Sequence, residues 1–294
     1  MIDMILEVEN LRIEFAFDGK VSVPVRGVSF SVPKAGRTAL VGESGCGKTL
    51  TALAVGSLLD RAKISGDIKL NGRVAYVFQN PMQSLDPVMR VGKQIEEGME
   101  KGLSRDARRA QMEQLLESVG LPRECARKYP CELSGGQQQR VMIASALAQS
   151  PKLLIADEPT TALDVTTQKE VLDLIRRIAD EREMAVLLIT HNLGLVSRYS
   201  DYVNVMYAGQ IVESGAVKSV LSNPRHPYTK GLLAAVPRID APRDAPLVDI
   251  PGTVPPPWAW PEGCAFHPRC PQATKECSSP LFKKCPCLTD YEQF

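Results

Sequence analysis

Eight residues, "GESGCGKT" from Gly42 to Thr49, have the composition of a polyphosphate cradle. The pattern G-x-x-x-x-G-K-[ST] lets the backbone of Gly42, Glu43, Ser44, Gly45, Cys46 and Gly47 wrap phosphate oxygens with amide groups. Lys48 then brings a point charge to the outer phosphates, the Thr49 hydroxyl can ligate Mg²⁺, and Leu50 carries the loop on into a helix. Farther along, "LLIADEP" ends a run of aliphatics on two carboxylates. Asp157 there suits Mg²⁺ binding, directly or through water, and Glu158 suits the orientation and polarisation of an attacking water. Between these lies "ELSGGQQQR", in which Ser134, Gly135, Gly136 and Gln137 read as a glycine turn opening a helix. Its first amides lack intrahelical partners and so offer a second anion site. The ordinary alternatives are a glycine turn without a ligand and a solvated carboxylate pair, and for both the context favours chemistry. Hydrolysis needs one cradle; this chain carries two.

The elements around these motifs must bring them together. "RTALVG" reads as a buried strand feeding the glycine loop, and "KTLTALAVGSLLD" as the helix after it. Residues 5–33 alternate apolar and polar in short pieces, as half-buried antiparallel strands do, and "GDIKLNG" and "VAYVFQ" add two more strands. From about Pro81 to Ser150 the texture is helical, with Met112, Leu115, Leu116 and Val119 at helical spacing. Strands return in "KLLIADEP" and "MAVLLITHN", separated by the helix "TTQKEVLDLIRRIADERE", and "YVNVMYAG" and "QIVESG" form a pair joined at a glycine turn. Apolar strands alternating with crossover helices imply a parallel sheet. The expected fold is therefore an α/β core with an antiparallel β-subdomain and an inserted helical subdomain over about 81–150. That insert carries the second glycine turn away from the first. Two chains placed head to tail could close both cradles on two nucleotides.

Composition narrows the setting. A net charge of +1 over 294 residues gives no general affinity for nucleic acid or anionic lipid. No apolar run approaches the roughly 20 residues that cross a bilayer, and "MIDMILEVEN" is acidic where a signal peptide is basic. The expectation is a soluble, cytoplasmic protein that can still dock on a membrane protein. "RIDAPRDAPLVDIPGTVPPPWAWP" reads as an extended proline-rich linker. Of eight cysteines, Cys264, Cys270, Cys277, Cys285 and Cys287 crowd the end of the chain, which in a reducing compartment suggests metal before disulfide.

With these motifs in place, "LSGGQQQR" resembles the signature of the ATP-binding-cassette (ABC) ATPases, and the resemblance covers nearly the whole chain. It implies a P-loop NTPase (RecA-like) core using ATP and Mg²⁺. By resemblance Phe15 in "RIEF" stacks on adenine, with Phe17 as a rival. Gln79 in "VFQNP" senses Mg²⁺ and water while its loop meets a transmembrane subunit. Asp164 in "TTALD" crosses the dimer seam, and His191 in "LLITHN" contacts the γ-phosphate. A competent ATPase is implied, because no hydrolytic position is substituted.

Two further stretches, "NPRHPYTKGLLAAVP" and "GCAFHPRCPQATKEC", resemble the C-terminal region of oligopeptide and dipeptide importer ATPases, whose relatives handle nickel and metal chelates. The resemblance implies a second, identical or similar ATPase subunit, two transmembrane permease subunits and an extracytoplasmic substrate-binding protein. It also implies a peripheral place on the cytoplasmic face of the membrane. The expected domains are 1–235 for the nucleotide-binding part and 236–294 for linker and cysteine-rich extension. Cys264, Cys270, Cys277 and Cys285 are spaced loosely enough to wrap a [4Fe–4S] cluster; structural Zn²⁺ or no metal are the alternatives, and Cys287 competes as fourth ligand. A metal there would pin down a tail otherwise without a core. A nickel or metal-chelate importer is the alternative function, and a soluble ABC ATPase acting on nucleic acid or the ribosome is a second.

Overall fold

In chain order the elements of the computed structural model are β1 (Met4–Phe17), β2 (Lys20–Pro33), β3 (Arg37–Val41), α1 (Lys48–Val55), β4 (Lys63–Leu70), β5 (Val74–Val77), α2 (Pro81–Ser84), α3 (Val91–Glu97), α4 (Arg105–Ser118), α5 (Gly135–Leu147), β6 (Leu153–Asp157), α6 (Val165–Glu181), β7 (Ala185–Thr190), α7 (Leu193–Tyr199), β8 (Tyr202–Tyr207), β9 (Gln210–Ala216), α8 (Val217–Ser222) and α9 (Pro227–Ala234). The structure describes residues 3–17, 19–161, 163–236 and 249–280. They fall into two compact units built from interleaved stretches of chain.

The first unit holds residues 1–6, 32–37 and 70–188. β5 and β6 run parallel, Val74 beside Leu153 through Val77 beside Ala156, and β6 neighbours β7 in turn. Every residue of β6 and β7 is buried. That is why both read as unbroken aliphatic runs rather than alternating ones. α4 buries the expected stripe of Met112, Leu115 and Leu116, and the following Val119 is fully buried. Within the helical stretch over about 81–150, α3 ends at Gly98. Ser104 restarts the chain as an N-cap, its side chain accepting from the Ala107 amide, so α3 and α4 are separate helices.

The second unit holds the described residues of 7–31, 38–69 and 189–280. β1 lies between β2 and β4 in a three-stranded sheet; β1 and β2 are each 14 residues long, where alternation suggested short pieces. β3 runs parallel to β8, and β8 pairs antiparallel with β9 across a register shift at Val205/Met206. The expected parallel grammar therefore holds for β3 and β8 and ends at the hairpin.

Two expectations about the chain's end are corrected here. The segment 249–261 does not run as a free linker. Pro257 accepts from the Val23 amide at 3.1 Å, the Trp260 indole donates to Val23 O at 2.9 Å, and the Arg26 guanidinium sits 4.7 Å from the Trp260 ring centre. Nor is the tail coreless. Phe266, only 2% exposed, packs with ring centres 5.1 Å from Tyr207, 5.4 Å from Tyr228 and 5.7 Å from His226. Aromatic groups brought together from distant stretches give this tail apolar burial of its own. Residues 237–248 and the cysteines Cys285 and Cys287 lie outside the described residues.

His226 makes this core sensitive to pH. Its Nδ1 accepts from the Tyr228 amide at 3.1 Å as the N-cap of α9, and burial pushes its pKa down to about 4 from 6.5. Between those values the unfolded chain binds the proton and the folded one does not. Stability is therefore complete above about pH 6.5 and falls as pH drops toward 4, by about 3 kcal/mol in all. His226→Asn keeps an N-cap acceptor without the titration. Urea midpoints recorded between pH 7 and pH 4.5 should flatten in that variant; an unchanged slope would assign the acid sensitivity elsewhere.

Candidate functional site

The glycine loop leaves β3 and enters α1 through residues that only glycine can occupy. Gly42 has φ 154°, and a Cβ on it would overlap the carbonyl oxygen of Met206 on β8. Gly47, with φ 101°, is the N-cap of α1 and contributes no side-chain cap to the first turn of the helix. Such a helix start attracts an anion. Lys48 is 5% exposed, and its ammonium donates to Gly42 O at 2.8 Å and Glu43 O at 3.0 Å, folding over the loop it belongs to. Thr49 and Leu50 follow on the first turn of α1; Ser44 and Gly45 are exposed. Cys46 is fully buried, and burial pushes its thiol up, which keeps it neutral and unreactive.

The carboxylates stand at the C-terminal end of β6. Asp157 is 3% exposed, and Tyr76 on β5 donates to its Oδ2 at 2.7 Å. Glu158 sits at φ +43°, a conformation that non-glycine residues adopt at a cost and that recurs in active sites. Its Oε2 accepts from Gln79 Nε2 at 3.2 Å and from Thr161 Oγ1 at 2.8 Å. The structure thus brings together Gln79 and Glu158, which lie far apart in sequence.

The second glycine turn is built as expected and is also capped. Ser134 is the N-cap of α5: its Oγ accepts from the Gln137 amide at 3.3 Å, while Gln137 Oε1 accepts from Ser134 N at 3.0 Å. A Cβ on Gly136 would come within 2.7 Å of the Thr167 methyl on α6. The glycine is therefore what permits α5 and α6 to approach there. Asp164 caps α6, accepting from the amides of Thr166 and Thr167 at 3.1 Å each, and hydrogen bonding from Thr167 holds its carboxyl below the ordinary range. Ser134, Gly135, Gly136, Gln137 and Asp164 line one cleft of about 460 Å³ with Arg140 and Thr167. Ser134 to Gln137 and Asp164, which belong to separate motifs in sequence, share one surface.

Other placements are plain. Phe15 lies half-buried on β1, and His191 follows β7, exposed. In the tail, the Cys264 amide donates to Cys277 O at 2.8 Å, and the Cys277 thiol lies 3.4 Å from the Thr274 hydroxyl. No group of three or more potential metal-ligating side chains assembles among the described residues, so Cys264, Cys270 and Cys277 do not by themselves form a ligand set. Sequence reasoning missed Tyr76, Thr161, Tyr228 and Arg269. Tyr76 left a signal as a polar tip in the otherwise apolar "VAYVF", and Thr161, Tyr228 and Arg269 lie inside stretches quoted above without being singled out.

Comparison with known proteins shows the family to which the chain belongs. Residues 25–161 match the family described as "ABC transporter", and residues 212–277 match "Oligopeptide/dipeptide transporter, C-terminal region". The chain is 44% identical over 298 residues to the oligopeptide transport ATP-binding protein AppD of Bacillus subtilis, covering 93% of this chain and 90% of AppD. It is 41% identical over 300 residues to the dipeptide transport ATP-binding protein DppD of the same organism, covering 94% and 89%. Among solved structures it is similar to cbiO1 of Clostridium perfringens, part of the ABC transporter complex cbiONQ, at 27% identity and a TM-score of 0.66, over 75% of this chain and 92% of that one.

Proposed function

Because the chain belongs to the ABC transporter ATPases, we propose that it hydrolyses ATP to energise an importer of dipeptides or oligopeptides. Membership makes it an ATPase with the cassette fold. The observation carrying the cargo class is the C-terminal match over residues 212–277, a region outside the shared ATP motifs.

The residue roles belong to the same proposal. Gly42 to Leu50 hold the triphosphate, and Phe15 supports the adenine. Thr49, Asp157 and Gln79 offer a hydroxyl, a carboxylate and an amide oxygen, the hard oxygen donors that Mg²⁺ takes. The ion, when bound, neutralises charge on the phosphates. Glu158 accepts a proton from the attacking water, held in place by the hydrogen bonds from Gln79 and Thr161. His191 contacts the γ-phosphate. Ser134, Gly135, Gly136, Gln137 and Asp164 complete the nucleotide site of a second cassette, identical or similar, and that cassette completes this one. ATP bound across the seam favours the closed pair, and hydrolysis releases it.

The working assembly adds two permease subunits and, outside the membrane, a substrate-binding protein. The chain sits at the cytoplasmic face, consistent with the finding that no helix among the described residues is long and apolar enough to cross a membrane. The domains are 1–235 for the cassette, with its helical part at about 81–150, and 236–294 for the extension. A [4Fe–4S] cluster on Cys264, Cys270, Cys277 and Cys285 draws its support from their spacing alone, because Cys264, Cys270 and Cys277 are not gathered into a ligand group among the described residues. Its contribution would be to cross-link the extension.

The experiment is purification from native membranes. Two polytopic membrane proteins should copurify, and peptide-loaded binding protein should raise ATP turnover. Stimulation by nickel or a metal chelate instead would move the cargo to the alternative class, and stimulation by RNA without membrane subunits would overturn the transporter reading. Iron and acid-labile sulfide in equal amounts are expected in that preparation; their absence removes the cluster.

A further inference from the structure

We propose that Arg269 and Tyr228, both from the region after the cassette's shared motifs, are positioning residues for the phosphate loop, acting through Glu43. This rests on the reading of Gly42–Thr49 as the nucleotide cradle. Glu43 is held at each of its polar groups. Its amide donates to the Tyr228 hydroxyl at 2.8 Å, its carbonyl accepts from Lys48 Nζ at 3.0 Å, and its carboxylate receives both Nη1 and Nη2 of Arg269, at 2.8 and 3.0 Å.

The two outside partners are themselves fixed. The Arg269 side chain is 4% exposed against 31% for Glu43, and it also donates to Pro251 O at 2.8 Å and Ile250 O at 2.9 Å. Tyr228 is fully buried, its ring centre 4.6 Å from Tyr207. A planar guanidinium with its remaining donors engaged presents a carboxylate with only one orientation. Gly42, Gly45 and Gly47 all have positive φ, so the loop has few side chains to hold its shape. Converging amides act on phosphate without a reorganisation cost only if they are already aimed. Lys48 now bonds the Gly42 and Glu43 carbonyls, and bringing its ammonium to phosphate weakens that tie. The two ties from Arg269 and Tyr228 remain, and they keep the loop's entry in place.

A buried arginine could instead need Glu43 only to neutralise its own charge, in which case losing the pair would lower stability and leave nucleotide affinity alone. The two roles separate in the full-length chain. Glu43→Gln, Arg269→Lys and the double variant are purified, and ATP dissociation constants and hydrogen exchange of the loop amides are measured at a temperature where each is folded. Each single variant should bind ATP about tenfold more weakly, the equivalent of one charge-assisted hydrogen bond. The loop amides should exchange faster, and KM should rise more than kcat falls. The double variant should be no worse than the weaker single one, because the pair acts as a unit. Tyr228→Phe should weaken binding in the same direction. ATP affinity within about twofold of wild type in both single variants, with unchanged loop exchange, overturns the proposal. Should Arg269→Lys fail to fold, Glu43→Gln decides alone, since its side chain is partly exposed. A wild-type chain that binds no ATP would overturn the nucleotide-site reading together with this one, whereas variants matching an ATP-binding wild type sink only this one.

Discussion

Glu158→Gln is expected to stop steady-state ATP hydrolysis while leaving ATP bound. The amide keeps the size of the carboxylate, and its oxygen can still accept from Gln79 and Thr161, the two hydrogen bonds that orient Glu158 at 3.2 and 2.8 Å. What disappears is the charge that takes a proton from water. General-base catalysis contributes about 10²- to 10⁴-fold, and turnover should fall within that range. Binding should not fall with it, because the cradle at Gly42–Thr49 is untouched. Nucleotide retained by the variant, compared with steady-state phosphate release, reads both quantities. Turnover within about threefold of wild type would remove Glu158 from its role.

A mixture of two inactive variants is expected to recover hydrolysis. Lys48→Ala disables a chain's own cradle, whereas Ser134→Arg fills the cleft that Ser134 shares with Asp164 and, in a head-to-tail pair, damages the partner's site. Homodimers of either variant then contain no intact site. A mixed pair contains one, made from the cradle of the Ser134→Arg chain and the signature of the Lys48→Ala chain. With random pairing, half the dimers are mixed and one site in two works, so the mixture should reach about a quarter of the wild-type rate. Each variant alone should stay near background. A mixture no more active than its components would refute the shared site. The result also distinguishes this geometry from a site completed within one chain, in which no mixing restores activity.

The motifs and their order were legible in the amino-acid sequence. The phosphate loop, the strand ending in Asp157 and Glu158 and the glycine turn at Ser134 depend on local chemistry: glycine where φ is positive, aliphatics where a strand is buried on both faces, a hydroxyl where a helix needs a cap. Met112, Leu115 and Leu116 marked their helix face for the same reason. Where the reading failed, the physical cause was non-local. The proline-rich stretch seemed a spacer because its partners, Val23 and Arg26, lie more than two hundred residues earlier.

Local residue types therefore determined that this chain binds and hydrolyses a nucleotide and roughly which elements carry the machinery. The tertiary structure alone decided that Gln79 and Thr161 hold Glu158, that Tyr76 holds Asp157, and that Ser134 and Asp164 face one cleft. It also decided that Arg269 and Tyr228, near the far end of the chain, fasten Glu43 in the phosphate loop. Side chains meet at hydrogen-bonding distance only after the sheets and the aromatic core have brought separated stretches together, and no periodicity along a chain encodes that distance.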